Sequence, residues 1–180
     1  MKRFLTTLAL ALTILVAAPV SAQTQANSVD TPTVEIVAPA GWKRSTLSED
    51  DVRIAAFIDP KTSNSIEVIG KQIIRSEHIE SLYDAFDKQL QNASLQKNES
   101  ASVPNKEFVL DDGTKRSGRW NEYTYTTRDI KIIVADYLFE SQNFVVIVVG
   151  YFSAAEYDKG IESMTEFIKT LTDKEDATAN

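Results

Sequence analysis

A nine-residue stretch from Phe144 to Phe152 places the strongest constraint on the fold of this chain. It reads Phe-Val-Val-Ile-Val-Val-Gly-Tyr-Phe, and its β-branched and aromatic residues favour a β-strand. Because odd and even positions are both apolar, each face of the strand must be covered. Burying its large apolar side chains is worth about 12–24 kcal/mol before opposing costs. A membrane-spanning helix needs about 20 apolar residues, so we predict an interior strand of a sheet that is covered on both sides.

The first 22 residues have the three parts of a secretory signal peptide. Lys2 and Arg3 are followed by an apolar run from Phe4 to Ala18, and small residues stand at the end of Val20-Ser21-Ala22. We predict cleavage before Gln23, with a retained anchor as the alternative. The protein is then exported across the inner membrane to the periplasm or the extracellular space. No membrane span is expected in the mature chain.

Composition limits the partners and the organisation of the mature chain. Without the signal peptide, 158 residues remain, with 17 basic and 26 acidic residues and a net charge of −9. This charge repels phosphate backbones, so we expect no nucleic-acid partner. The chain has no Cys and must rely on its core rather than on disulfides. We predict one domain over residues 32–172, a disordered N-terminal segment at 23–31 and a disordered tail at 173–180.

Hydrophobic periodicity predicts two amphipathic helices. The first runs from Ser76 to Asn92, and we place its charged residues, Asp87 among them, on the face opposite the apolar stripe. The second follows Ser153 and Glu156, whose spacing predicts a capping box. Gly160 in this helix indicates close packing against the sheet. The apolar stripes consist of Ile79, Leu82, Tyr83, Phe86 and Leu90 in the first helix, and of Tyr157, Ile161, Met164, Phe167, Ile168 and Leu171 in the second.

The remaining pattern predicts an antiparallel sheet. Residues 94–106 read as a loop with at most one weak edge strand, and Asp111-Asp112-Gly113 predicts a hairpin turn. The last three strands are joined by three-residue connections, so they must be antiparallel neighbours. The predicted fold is α+β, a three-layer α/β/α sandwich with a central, largely antiparallel sheet and one helix on each face. The predicted strands are Thr33–Val37, Arg53–Asp59, Ser65–Arg75 with a bulge near Gly70, the hairpin arm Glu107–Leu110, Arg116–Thr126, Ile130–Glu140 and Phe144–Phe152.

The chemistry-bearing residues do not form a pattern typical of an enzyme or a metal site. His78 is the single His, and with no Cys the sequence excludes ordinary zinc sites and Cys-His catalysis. No nucleophile elbow and no phosphate-binding glycine loop is present. The acids at Glu49 to Asp51 and at Asp111-Asp112 belong to predicted turns and lack the EF-hand pattern. We therefore predict a protein that is not an enzyme, with no catalytic, cofactor-binding or metal-binding residues.

One cluster of basic and aromatic residues stands out in this acidic chain. Strict alternation along the strand places Arg119, Tyr123 and Tyr125 on one face and Trp120 on the other. The simpler interpretation is a solvent-exposed strand edge together with aromatic residues that belong to the core. If the protein contacts an acidic partner, this strand is where we would first look for the contact. The cluster consists of Lys115, Arg116, Arg119, Trp120, Tyr123 and Tyr125.

The order of these elements resembles the PsbP/Mog1/DcrB-like superfamily. The shared features are the signal peptide, a short strand into Pro39 to Trp42, a Ser-initiated helix, the Asp112-Gly113 hairpin, the meander, and a final helix that ends in Phe167 to Leu171. The resemblance implies an α/β/α sandwich and a non-catalytic accessory role, as in photosystem subunits, a small-GTPase cofactor, envelope proteins and secretion chaperones. It carries no functional motif onto particular residues of this chain.

We therefore expect an exported accessory or protein-binding module of the bacterial cell envelope. Its partner would be an envelope protein, and it would use no cofactor. The alternative is a carrier of a small hydrophobic ligand, since a curved meander with a long terminal helix can enclose a helix-grip or lipocalin-like cavity. A second alternative is an immunity or inhibitor protein, for or against which no residue argues.

Overall fold

A computed structural model describes residues 28–30, 34–45, 53–73, 79–127, 130–142 and 144–173 of the chain. The two helices are α1 (Ile79–Asn92) and α2 (Tyr157–Thr170), and a 3-10 turn at Ala154–Glu156 leads into α2. The strands are β1 (Ser28–Asp30), β2 (Val34–Val37), β3 (Lys43–Arg44), β4 (Arg53–Ile58), β5 (Ser65–Gln72), β6 (Gln96–Lys97), β7 (Val103–Val109), β8 (Lys115–Thr127), β9 (Ile130–Ser141), β10 (Phe144–Ser153) and β11 (Thr172–Asp173).

The main sheet has eight strands in the order β3-β4-β5-β10-β9-β8-β6, and β7 also pairs with β8. All of its pairs are antiparallel. The last three long strands form the predicted meander, because β8 pairs with β9 and β9 pairs with β10. A smaller sheet has the order β1-β2-β11.

The apolar strand β10 lies in the middle of the main sheet, between β5 and β9. Its two faces belong to two separate cores. On one face Val146, Val148 and Phe152 pack with residues of α2, and on the other Val145, Ile147, Val149 and Tyr151 pack with residues of α1. One helix therefore covers each face, and the predicted α+β sandwich with a largely antiparallel sheet is confirmed.

The second helix approaches the sheet closely at Gly160. A Cβ atom at this position would overlap the ring of Phe152, which is fully buried. The close packing predicted from this glycine is confirmed. The small sheet completes this layer, since Val34 and Ile36 of β2 are buried in the same core as Met164.

Two local predictions are wrong. The bulge lies in β4, between Arg53 and Ala55, while β5 stays in regular register with β10 through Gly70. The predicted capping box does not form, because no side-chain hydrogen bond caps the helical turn after Ser153. In a capping box, the side chain of Glu156 would accept a hydrogen bond from the backbone N–H of Ser153. That N–H donates instead to Oδ1 of Asn64 at 3.2 Å.

The segment predicted as a loop over 94–106 contains β6 and the start of β7. The hairpin after β7 turns as predicted, although the left-handed conformation is needed only at Gly113, with φ of 83°. Asp112 belongs to the turn chemistry, since its Oδ1 accepts hydrogen bonds from the backbone and hydroxyl of Thr114.

Several predicted features lie outside the described residues: the signal peptide, Glu49 to Asp51, Ser76 and His78. Strand β1 at Ser28–Asp30 falls within the segment expected to be disordered, and Asp173 of β11 lies one residue past the expected end of the domain. Within the described ranges, neither helix has the length and apolar character required to cross a membrane.

Substituting Gly160→Ala should destabilise the protein despite the better helix propensity of Ala. The added methyl group overpacks against three ring atoms of Phe152, so its cost lies in the upper part of the usual range, about 2–3 kcal/mol, and the better helix propensity of Ala returns about 1 kcal/mol. We expect the free energy of unfolding, measured by urea denaturation, to fall by about 1–2 kcal/mol. The control is Glu162→Ala on the exposed side of α2, which should change it by less than about 0.5 kcal/mol. A Gly160→Ala protein as stable as the wild type would contradict the packing described.

Candidate functional site

A network of charged and polar side chains lies between α1 and the sheet, centred on Asp87. Its carboxylate accepts three hydrogen bonds from different elements. Tyr123 of β8 donates its hydroxyl to Oδ1 at 2.8 Å, and Gln91 of α1 donates to the same oxygen at 2.9 Å. Lys97 of β6 donates to Oδ2 at 2.8 Å, and both side chains of this ion pair are only 12% exposed. Asp87 thus links α1 to two strands through a largely buried, fully bonded carboxylate.

The position of Asp87 corrects the sequence prediction, which placed it on the solvent face of α1. Tyr83, Asp87 and Leu90 follow one another at spacings of four and three residues, so they share one face of the helix. All three are buried. Asp87 therefore belongs to the inward stripe, and its charge is compensated by Lys97 rather than by water.

Arg119 extends this network toward solvent. Its guanidinium lies 2.9 Å from Asp84 and 3.5 Å from Asp87, and its side chain is 17% exposed. Tyr123 is on the same face of β8, and Trp120 is in the core on the opposite face, as the alternation predicts. Arg119 is thus engaged by acids of α1 and is not displayed to an acidic partner.

Arg116 is likewise used inside the molecule. It is 5% exposed, donates to the carbonyl oxygen of Leu171 and to Oδ1 of Asp173 at 2.8 Å, and lies 4.4 Å from the ring centre of Phe139. Ser141 donates to the same Asp173 oxygen at 2.7 Å. The remaining basic residue of the predicted cluster, Lys115, pairs with Glu107 at 2.9 Å. The sequence hypothesis of a basic contact surface on this strand is therefore not supported.

A second buried carboxylate, Asp136, lies on the α1 face of β9. It stands directly across from Asn121 of β8 on one side and from Val149 of β10 on the other. Asp136 is 0% exposed, and its Oδ1 accepts a hydrogen bond from Nδ2 of Asn121 at 2.9 Å. Its Oδ2 has no hydrogen-bond partner among the described residues. Among the described residues, no basic side chain forms an ion pair with Asp136, in contrast to Asp87.

The two carboxyl groups have opposite pKa shifts. Burial raises the pKa of Asp136 to about 7; the hydrogen bond from Asn121 opposes this shift, and the negative charge of Asp87 adds to it. For Asp87, burial alone would raise the pKa, but the hydrogen bonds from Lys97, Tyr123 and Gln91 outweigh it and hold the pKa below its usual value. Near pH 6, Asp87 is therefore ionised while Asp136 keeps its proton.

A third buried acid, Glu122, lies on the α2 face of β8. Its carboxylate accepts hydrogen bonds from the indole of Trp120 at 3.1 Å and from the hydroxyl of Tyr157 at 2.8 Å. This group fixes the first turn of α2 to the sheet. Within the described residues, no three His, Cys, Asp or Glu side chains are grouped as metal ligands would be. The distinctive chemistry of these buried acids is the proton held by Asp136.

Sequence reasoning did not identify Asp136 as a candidate, although a signal was present. An Asp stands between Ala135 and Tyr137 in the otherwise apolar stretch from Ile132 to Phe139, on the same face as Val134 and Leu138. A charged residue on a buried face is rare unless it is paired. Its partner, Asn121, lies on another strand and could be identified only once the register of β8 and β9 was known.

Replacing Asp87 by Asn should destabilise the protein at neutral pH. The change leaves Lys97 buried without its counter-ion, and we expect a loss of about 2–4 kcal/mol in the free energy of unfolding. Because the pKa of Asp87 is lowered in the fold, its contribution is present above about pH 4 and is lost as the pH falls further. The control is Asp84→Asn, which touches the same Arg119 but is 58% exposed and should cost less than about 1 kcal/mol. Equal losses for the two variants at pH 7 would contradict this assignment.

Replacing Asp136 by Asn should have the opposite effect. Because the folded-state pKa is raised from 3.8 to about 7, the wild-type protein loses stability as the pH rises from 4 to 7 and then levels off. The neutral amide avoids this loss, so the variant should be more stable at pH 8, by at most about 4 kcal/mol. Urea denaturation between pH 4 and pH 8 measures this difference. Glu140→Gln, at an exposed position of the same strand, should leave the pH profile unchanged, and a wild-type profile in Asp136→Asn would overturn the expectation.

Comparisons with known proteins place the fold. No protein-family model matches the sequence, and no curated protein matches it. Among solved structures, the chain is similar to LpqN, a protein involved in cell envelope biogenesis of Mycobacterium tuberculosis, with a TM-score of 0.58 and 14% identity over 81% of this chain and 87% of LpqN. It is also similar to cyanobacterial PsbP (CyanoP) from Synechocystis, with a TM-score of 0.56 and 13% identity over 88% of this chain and 99% of that protein.

A third similar structure comes from Bacteroides thetaiotaomicron, with a TM-score of 0.51 and 10% identity. The match covers 79% of this chain but 46% of the Bacteroides protein, so the present chain corresponds to less than half of it. At these identities the likeness concerns the fold alone. The chain has the PsbP/Mog1/DcrB-like fold that the order of its elements predicts.

Proposed function

We propose that this protein is an exported, non-catalytic accessory protein of the bacterial cell envelope that acts through contacts with another envelope protein. The signal-peptide pattern of residues 1–22 supports export, followed by a single mature domain. The likeness to LpqN, a protein involved in cell envelope biogenesis, supports the compartment and the accessory role. The likeness to PsbP supports the same class.

The observation that carries the proposal is the filled interior. Both faces of β10 are buried under side chains, from Val146, Val148 and Phe152 on the α2 side and from Val145 and Ile147 on the α1 side. The space that would hold a carrier's ligand is occupied by the protein's own core. This arrangement leaves the outer surface as the place where function is carried out.

The volume of a crevice beside α1 can be compared with the volume of a carrier's ligand site. The crevice lies between Ile69 of β5, Leu82 and Phe86 of α1, and Val145 and Ile147 of β10, and its volume is about 70 Å³. Typical small-molecule sites have about 300–1,000 Å³. This crevice is therefore too small to serve as a carrier's ligand site.

We place the contact surface on β7. Among the described strands, β7 pairs with β8 along one edge only, and Phe108 is its single buried residue. Val103 and Val109 are 38% and 55% exposed. An exposed strand edge with apolar side chains is suited to pairing with an extended segment of a partner. Pro104 and the register shift before Lys106 interrupt the start of β7, so the pairing segment would be the second half of the strand.

A photo-crosslinking amino acid placed at Val109 should capture an envelope protein in intact cells of the native host. The matched control is the same substitution at Ile130, which is 53% exposed but lies at the tip of the β8–β9 hairpin. We expect one discrete crosslinked product from position 109 and none from position 130, read by immunoblot and identified by mass spectrometry.

Three outcomes would count against the proposal. Equal products from both positions would indicate non-specific collisions, and no product from either position would remove β7 as the contact surface. Native mass spectrometry of the purified protein separates the alternative function. A bound lipid mass on the exported protein would favour the carrier over the accessory protein.

A further inference from the structure

The side chain of Asp136 makes no contact that a neutral amide could not make. Its described hydrogen bond is from Asn121 to Oδ1, and an Asn at position 136 would accept the same bond. Its second oxygen is buried without a partner. What the carboxylic acid adds over the amide is its ability to lose a proton, and among the described residues no basic side chain forms an ion pair with the carboxylate that would result.

The charged and titratable groups around Asp136 come from every element packed on this side of the sheet. Asp87 faces it from α1, Lys97 from β6, and Arg119 and Tyr123 from β8. Glu67 of β5 lies in the same cross-strand row, beyond Val149, and Tyr151 of β10 lies in the next row. Lys97 and Arg119 are already engaged by Asp87, so the positive charges nearest to Asp136 have a competing partner.

The lid over this site is α1. Its links to the sheet include the buried stripe around Leu90, the hydrogen bonds of Asp87 to Tyr123 and Lys97, and the ion pair of Asp84 with Arg119. If α1 moved away from the sheet, water would reach Asp136 and the carboxylate would be solvated. The undocked state therefore accepts the ionised form, and the docked state accepts the neutral form.

We propose that Asp136 is a proton-operated latch for α1: the protonated acid keeps the helix docked on the sheet, and its ionisation favours an undocked helix. Undocking uncovers the apolar floor of the crevice beside α1, including Val145 and Ile147. The latch therefore exposes these side chains near neutral pH and covers them in acid. This inference stands apart from the proposed function, because it concerns the α1 face and not β7.

The sign of the pH dependence follows from the two states. Docking holds the pKa of Asp136 at about 7, and an exposed Asp has a value near 3.8, so docking weakens as the pH rises from 4 to 7 and is constant above 7. Asp87 acts in the other direction, because its lowered pKa removes docking strength only below about pH 4. The helix is therefore held most firmly between pH 4 and pH 5.

The absence of Cys from the chain permits a direct test in the purified protein. A thiol introduced by Leu90→Cys is hidden while α1 is docked, since Leu90 is 0% exposed. A thiol introduced by Ala85→Cys on the exposed side of the same helix corrects for the pH dependence of thiol chemistry. We expect the labelling rate at position 90, relative to position 85, to rise about tenfold per pH unit between pH 5 and pH 7, and then to level off.

Three further measurements keep the latch falsifiable. Adding Asp136→Asn should remove the rise. A Met164→Cys thiol, which lies in the other core, should be labelled much more slowly than position 90 at every pH, because undocking of α1 does not expose it. Persistence of the rise in Asp136→Asn would overturn the proposal in favour of another group, and equal labelling rates at positions 90 and 164 would overturn it in favour of global unfolding. If Leu90→Cys fails to fold, hydrogen exchange of the α1 amides in the unsubstituted protein, corrected for intrinsic rates, must show the same pH dependence, and flat protection would overturn it.

Discussion

The fold depends on the need to cover β10 on both sides. A strand with apolar side chains on each face is stable only between two layers, and each layer must extend over its neighbours as well. The main sheet is seven strands wide along its pairing path, about 29 Å at the usual spacing, whereas a 14-residue helix is about 21 Å long and about 10 Å across. One helix is therefore too small to cover a face. On the α2 side the small sheet fills the gap with Val34 and Ile36, and on the α1 side a crevice remains over β5.

The sequence predicts the parts of this architecture that depend on periodicity. Both helices, the three-strand meander and the two-sided burial of β10 follow from side-chain spacing within a single segment. Strands such as β6 and β11 could not be predicted, because they are two residues long and exist through their pairing with Tyr123 or Glu35. The capping box shows the same limit. The spacing of Ser153 and Glu156 fits a capping box. The hydrogen bond from the Ser153 backbone N–H is nevertheless accepted by Asn64, which is distant in sequence.

The buried acids were the least predictable feature, for a related reason. Helix and strand patterns are identified from their apolar residues. An Asp or Glu on the buried face is then wrongly assigned to the surface because it is charged. Asp87 was assigned in this way, although its spacing from Tyr83 and Leu90 places it inside. What makes its burial acceptable is the pair of donors Lys97 and Tyr123, which come from two strands later in the chain. Such compensation is a property of the tertiary structure and leaves no local pattern.

The two acids between α1 and the sheet, Asp87 and Asp136, also differ in how they affect the docking of the helix. Asp87 is ionised and bonded on both oxygens, so it fixes the helix in one position on the sheet. Among the described residues, Asp136 accepts one hydrogen bond and pairs with no basic side chain, and an Asn would accept the same bond without a titratable proton. A carboxylic acid at this site weakens the docking of α1 as the pH rises, and this is the single property that separates it from the amide. The α1 side of the sheet, with its incomplete cover, is therefore also the side on which the fold responds to pH.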